Sequence, residues 1–156
     1  MIIVTPHQAL AKAYKYCAYQ ERSQFEVRDK LFSFGLENDE IENIIFTLIE
    51  ENFLNEERFA LAYSSGKFRI SKWGKIKIKQ GLKEKNVSDY CIKKALSSID
   101  NTEYAALIIK LIKQKSKLLT DTNKLSKSKK VINFLLSKGF EYEAVLQEVK
   151  LFLQLK

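Results

Sequence analysis

The sequence predicts an all-α protein of three tandem three-helix repeats, set in an elongated array, curved or straight. Three observations predict it. The 156 residues include one proline and five glycines, too few breaks for a turn-rich β fold. Apolar residues recur three and four apart between recognisable helix starts, and strict alternation is rare. One apolar frame also recurs. Val27, Leu31, Gly35 and Leu36 share their spacing with Ile78, Leu82, Asn86 and Val87, 51 positions on, and with Val131, Leu135, Gly139 and Phe140, a further 53 on. Ile41, Ile45 and Leu48 map in the same way onto Ile92, Leu96 and Ile99, then onto Val145, Val149 and Phe152.

The first repeat, 5–51, opens on Thr5-Pro6-His7-Gln8, a cap with proline at the first helical position and a Gln able to complete a capping box. Its first helix is built around Ala9, Leu10, Ala13 and Tyr14. Ser23-Gln24-Phe25-Glu26 is a second capping box. Asn38-Asp39-Glu40 starts the third helix, with carboxylates where the helix dipole favours them. The second repeat, 54–100, begins at Asn55-Glu56-Glu57 and continues through Phe59, Ala60 and Tyr63. Ser71 is a candidate cap for its middle helix. IKIKQGL at 76–82 alternates briefly, yet Leu82 continues a four-residue spacing from Ile78 and makes the segment helical. Ser88 opens the next helix. The third repeat, 101–156, starts at Asn101 and runs through Tyr104, Leu107 and Leu111, with a connector at 118–126 and a further cap at Asp121 or Thr122. Gly35, Asn86 and Gly139 tolerate the left-handed conformation that ends a helix, and an apolar residue follows each. A single repeat is too small to bury its own faces, so neighbours are expected to pack together.

Several function classes are excluded. No run of about 18 apolar residues exists to span a membrane. The start MIIVTPHQAL lacks the basic and apolar regions of a signal peptide. Cys17 and Cys91, without CxxC spacing, read as buried reduced thiols of a cytoplasmic protein. The single histidine, His7, lies in a capping stretch, and no Walker loop, HExxH, GxSxG or zinc-ligand spacing occurs. The carboxylates of 37–42 and 50–57 fall at helix ends and read as caps and solvated faces. The chain is not expected to be an enzyme, and no metal or cofactor is implied.

Charge points elsewhere. The net +8 divides into 6 Lys/Arg against 11 Asp/Glu over residues 1–66, and 21 against 8 over residues 67–156. Such asymmetry suggests a polyanionic partner, most often nucleic acid, for the basic part. On a helical wheel with Ile78 at 0°, Leu82 lies at roughly 40° and Lys79, Lys72 and Lys83 at about 100°, 120° and 140°, with Lys75 bordering at about 60°. This flank suits a phosphate backbone, and Lys67 and Arg69 would extend it; the other reading is a solvated helix face. Trp73 and Ile76 point away from the core stripe, either packing on the preceding helix or standing exposed as a stacking contact. The third repeat adds Lys110, Lys113, Lys115, Lys117, Lys124, Lys127, Lys129 and Lys130, of which Lys127 and Lys130 join the candidate set. Nucleic-acid or acidic-protein contact fits here too. Base-specific readout is not indicated, because lysines outnumber arginines and no reading helix stands out. An anionic membrane is disfavoured, because no amphipathic Trp/Phe/Lys helix stands alone. The acidic first repeat suits solvent or a protein partner.

With the repeat established, the chain resembles the RecX family of regulatory proteins, which modulate the RecA recombinase. Leu54-Asn55-Glu56-Glu57-Arg58-Phe59-Ala60, with Tyr63, is similar to that family's Leu-Asp-Asp-x-x-Phe-Ala segment. Gly74 follows a basic stretch as in the family, and Leu82-Lys83-Glu84-Lys85-Asn86-Val87 resembles its Leu-x-x-Lys-Gly-Ile. Arg22-Ser23-Gln24-Phe25-Glu26-Val27, with Leu31 and Gly35, resembles its Arg-x-x-Ser-x-x-Glu-Leu…Leu…Gly pattern. Asn55 replaces the usual acid and Asn86 the usual glycine. The likeness covers about residues 9–100; beyond them only the apolar frame persists. It implies a cytoplasmic, non-enzymatic protein that binds the RecA–DNA filament and restrains the recombinase, ATPase and co-protease activities of RecA; a monomer is expected. The charge alone supports a stand-alone helical DNA-binding protein as the alternative.

Overall fold

The computed structural model describes residues 4–153. Among them are nine α-helices and no strand: α1 Pro6–Tyr19, α2 Gln24–Ser33, α3 Asn38–Glu50, α4 Glu56–Arg69, α5 Lys75–Glu84, α6 Asp89–Ser97, α7 Asn101–Leu118, α8 Lys124–Ser137 and α9 Tyr142–Leu153. The leader reading and the end of the third repeat touch residues 1–3 and 154–156, which lie outside the described residues.

Helix starts follow the chemistry of their caps. The Thr5 hydroxyl accepts from Gln8 N–H at 3.2 Å while Gln8 Oε1 accepts from Thr5 N–H at 3.1 Å. Ser23 and Glu26 make the same reciprocal pair at 3.0 and 3.2 Å. Asn55 Oδ1 caps Arg58 N–H at 2.8 Å, and Ser88 Oγ reaches Cys91 N–H at 3.4 Å. Four expected caps are displaced. The chain enters α3 at Glu37, whose N–H donates to Glu40 at 3.0 Å, with Asn38 already helical. Asp100, not Asn101, caps α7 through Glu103 N–H at 2.9 Å. Asn123, beyond Asp121 and Thr122, caps α8 through Leu125 N–H at 2.8 Å. Ser71 caps nothing, because α5 begins only at Lys75. At α7 and α8 a neighbouring carboxylate or amide accepts from the free N–H groups instead.

The repeat frame is visible at the corners. Gly35, Asn86 and Gly139 hold φ of 83°, 58° and 93°. Val87 N–H returns to Leu82 carbonyl at 3.1 Å and Phe140 N–H to Leu135 carbonyl at 3.2 Å, closing six-residue loops over the helix ends. Leu36, Val87 and Phe140 are buried. Two more corners use the same device: Asn52 at φ 62° and Lys72 at φ 58°. Val27, Leu31, Ile78, Leu82, Val131 and Leu135 are at most 1% exposed, each contributing about 1.5–3 kcal/mol of apolar burial. The frame is not uniform: Leu96 is half-buried, and Phe152 is 40% exposed rather than a core residue. It lies in the last turn of α9.

The described residues fall in two compact units, Met1–Tyr63 with Leu82–Ala95, and Ser64–Gly81 with Leu96–Lys156. In the first unit α1, α2 and α3 pack pairwise around Ala9, Ala13, Val27, Leu31, Ile44, Ile45 and Leu48. In the second, α7, α8 and α9 pack pairwise, with Ile108, Ile112, Val131, Leu135, Phe140, Val145 and Val149 inside. Charge follows this division: the first unit has 10 Lys/Arg against 13 Asp/Glu, the second 17 against 6.

Candidate nucleic-acid interface

The second unit's basic surface begins where α4 stops. Trp73 N–H donates to Lys67 carbonyl at 3.0 Å, and Lys72 takes up its left-handed conformation between them. Lys72 and Trp73 are therefore not on the face of α5, which corrects the wheel placement of both: the chain turns through Ser71–Gly74 and becomes helical only at Lys75. Two ammonium groups, Lys67 Nζ and Lys77 Nζ, each lie 4.7 Å from the centroid of the Trp73 ring. Trp73 is half-buried and its faces serve these lysines, while Ile76 is 46% exposed. Of the two readings for this pair, packing holds for Trp73 and exposure for Ile76.

A backbone junction holds this turn in place. Gly74 N–H donates to Lys138 carbonyl at 2.8 Å and Ile76 N–H to Gly139 carbonyl at 3.0 Å, while Lys138 Nζ donates to Ser71 carbonyl at 3.0 Å. The approach is so close that a Cβ on Gly74 would lie 2.3 Å from the Gly139 carbonyl carbon. Beside it, Lys75 N–H donates to the Tyr104 hydroxyl at 2.9 Å, and that hydroxyl donates to Glu141. Burial, then the Glu141 bond, push the Tyr104 phenol far above its usual range, so it remains a neutral donor. Lys75 Nζ sits 4.8 Å over the same ring.

The remaining candidates differ in how their charge is already used. Arg69 pairs with Glu103 at 3.3 Å. Lys130 pairs with Asp121 at 2.9 Å and holds that carboxyl below its usual range, with help from the Ser126 hydroxyl. Lys127 is half-buried at the start of α8. Lys79 is exposed in the second unit, and Lys83 is exposed in the first. Sequence reasoning missed Lys77. No helical wheel signals it, because Trp73 precedes α5 and meets Lys77 through the turn at Ser71–Gly74.

In the first unit, the segment that carried the family resemblance is framework. Leu54, Phe59 and Ala60 are buried. Arg58 donates to Glu21 at 2.5 Å and to Asn52 side chain and carbonyl at 3.1 and 3.0 Å. Glu56 accepts Ser88 N–H at 2.6 Å, and Glu57 pairs with Lys94 at 2.5 Å. With the Arg28–Glu42 pair at 2.7 Å and the Tyr14–Glu51 hydrogen bond, the carboxylates of 37–42 and 50–57 do more than cap helices: they tie helices together. Cys17 and Cys91 are buried free thiols, and burial pushes the Cys17 thiol up. Among the described residues no cluster of His, Cys, Asp or Glu could hold a metal, and no helix is long and apolar enough to cross a membrane.

Fold and surface define a class: an all-α protein of tandem three-helix domains with acidic and basic charge segregated between its two compact units. Family models described as the first and second three-helix domains of RecX match residues 9–48 and 55–96, and the chain belongs to the RecX family. "Regulatory protein RecX" of Clostridium perfringens strain 13 is 37% identical over 124 residues, 78% of this chain and 58% of that protein, so the chain spans under two thirds of that relative. The protein of the same name from Chlorobaculum tepidum is 28% identical across 93% of this chain and 88% of its own. The crystal structure of RecX from Lactobacillus salivarius superposes with a TM-score of 0.85 at 26% identity, covering 97% of both chains. A second RecX crystal structure, at 22% identity, shares the fold with a TM-score of 0.79.

Proposed function

We propose that this protein is a cytoplasmic, monomeric, non-enzymatic regulator that binds the RecA–DNA filament and restrains the recombinase, ATPase and co-protease activities of RecA in DNA repair and the SOS response. The observation that carries the reading is the match to both RecX three-helix domains, joined to the fold shared over nearly the whole chain. We read the chain as three repeats, 5–51, 54–100 and 101–156. The basic second unit supplies sequence-independent contacts to the phosphate backbone through Lys67, Arg69, Lys72, Lys75, Lys79, Lys127 and Lys130, with Lys83 of the first unit and Trp73 as the aromatic of the set. The acidic first unit suits a protein surface rather than DNA. Titrating the protein into DNA-dependent ATP hydrolysis by RecA tests this. Inhibition at sub-stoichiometric ratios is expected, and no effect at any ratio refutes it.

A second reading, a stand-alone helical DNA-binding protein, draws on the excess of 17 basic over 6 acidic residues in the second unit. It predicts duplex affinity that falls steeply with salt and ignores RecA.

A further inference from the structure

Several basic side chains of the second unit are already engaged. Arg69 and Lys130 are ion-paired, Lys67 and Lys77 flank Trp73, and Lys75 and Lys115 sit over Tyr104 and Phe134. One face of α7 differs. Lys110, Lys113 and Lys117 are exposed and form no ion pair with any described residue. They border a shallow groove of about 420 Å³ with Ala106, Ile109 and Gln114.

Helical geometry aligns the three lysines. At 100° per residue they fall within an arc of roughly 60°, and over seven residues the row is about 10 Å long. Their arc lies opposite Tyr104, Ile108, Leu111 and Ile112, the side of α7 buried in its own unit. The sole acid in the first turn, Glu103, is taken by Arg69. Like charges three and four apart on a helix repel one another. Nothing in the unit relieves that repulsion at these positions, whereas an anion lying along the row would.

We infer that this face of α7 binds a phosphodiester backbone, and that it does so more strongly than the α4–α5 lysines. The chemistry selects the ligand. A row of point charges without arginine forks suits a regular line of phosphates that is not read base by base. No aromatic side chain lines the groove, so bases have nothing to stack on and contact is through the backbone. A lipid surface would need large apolar groups to insert, and the face offers only Ala106 and Ile109. This assignment deepens the nucleic-acid part of the proposed function and gives the divergent third repeat a task.

The test measures salt dependence of binding to an oligothymidylate single strand and to a mixed-sequence duplex, for the full chain and for the triple variant Lys110→Gln, Lys113→Gln, Lys117→Gln. Glutamine preserves helix propensity, and circular dichroism checks the fold. The slope of log affinity against log salt should fall by about 2 on the single strand and nearer 3 on the duplex, or roughly 100-fold in single-strand affinity at 0.1 M salt. A loss on either nucleic acid supports the site and identifies its form. Should the triple variant misfold, each single variant must lower the single-strand slope by about 0.7. Lys130→Gln, whose charge is spent on Asp121, should change it far less. Unchanged slopes on both nucleic acids overturn the inference. So do vesicles of anionic lipid that bind the protein as tightly as the single strand and release the variant. The RecA titration reads the broader proposal separately, since a protein inert toward RecA can still show this slope.

Discussion

Replacing Gly139 with alanine combines two separable costs, and two other glycines isolate them. Gly35 has φ +83° and nothing within 4 Å of an added Cβ, so Gly35→Ala reports the left-handed backbone alone, about 1–2 kcal/mol. Gly74 carries no left-handed strain, but its Cβ would stand 2.3 Å from Gly139 backbone, and backbone cannot swing aside. Gly74→Ala therefore reports overpacking, about 1–3 kcal/mol. Gly139 has φ +93°, and its Cβ would meet Lys77 Cβ at 2.3 Å and Lys77 N at 2.6 Å. Its alanine variant should lose the sum, about 2–5 kcal/mol, a drop near 10 °C in melting temperature for a chain of this size. Urea unfolding followed by far-UV circular dichroism measures all three. A double-mutant cycle adds a check: Lys77→Gly removes the nearest clashing carbon but leaves the backbone N contact, and should return part of the Gly139→Ala loss, about 0.5–1 kcal/mol. If Gly139→Ala costs no more than Gly35→Ala, the close approach of the α5 start to the α8–α9 corner is wrong.

Tyr104→Phe should destabilise by about 1–3 kcal/mol, because it leaves the part-buried Lys75 N–H without its acceptor; a melting temperature equal to that of the parent would contradict this. The variant Lys72→Ala, Lys79→Ala, Lys83→Ala should weaken DNA binding with helicity intact, and unchanged affinity would return that flank to plain solvent exposure. Asp121 should titrate below 3.8, its ordinary value, with Lys130 as the main cause. Its pairing therefore contributes above the unfolded pKa and fades as pH falls through the lower folded one. Carboxyl NMR shifts read this, and in Lys130→Gln the midpoint should rise; an identical midpoint would rule out Lys130 as the cause.

The fold was legible because its determinants are local. A helix end needs a residue tolerant of positive φ and an apolar residue after it, and Gly35-Leu36, Asn86-Val87 and Gly139-Phe140 announce both in adjacent letters. Asn52-Phe53 carries the same two letters, whereas Lys72 performs the turn without announcing it, since lysine has no preference for that conformation and is held there by its surroundings. Misplacing Lys72 and Trp73 on α5 followed directly. The wheel assumed that a helix starting near Ser71 continued into IKIKQGL, whereas the contacts of Gly74 and Ile76 with the α8–α9 corner, over sixty positions away, decide where that helix begins.

Charge was legible in amount but not in availability. Counting lysines located the basic block, yet a lysine's worth to an anionic partner depends on what else holds it. The partners that hold these side chains depend on how the chain turns: Arg69 finds Glu103 far along the sequence, and Lys67 and Lys77 converge on Trp73 from two different helices. A desolvated phosphate contact at an engaged lysine must first break an existing interaction, so its net gain is smaller than at an open one. By that reasoning Lys67, Arg69, Lys75 and Lys77, gathered about the turn between α4 and α5, are the more occupied set. The unpaired row on α7, in the repeat whose sequence departs furthest from the family pattern, has the larger free energy still to release.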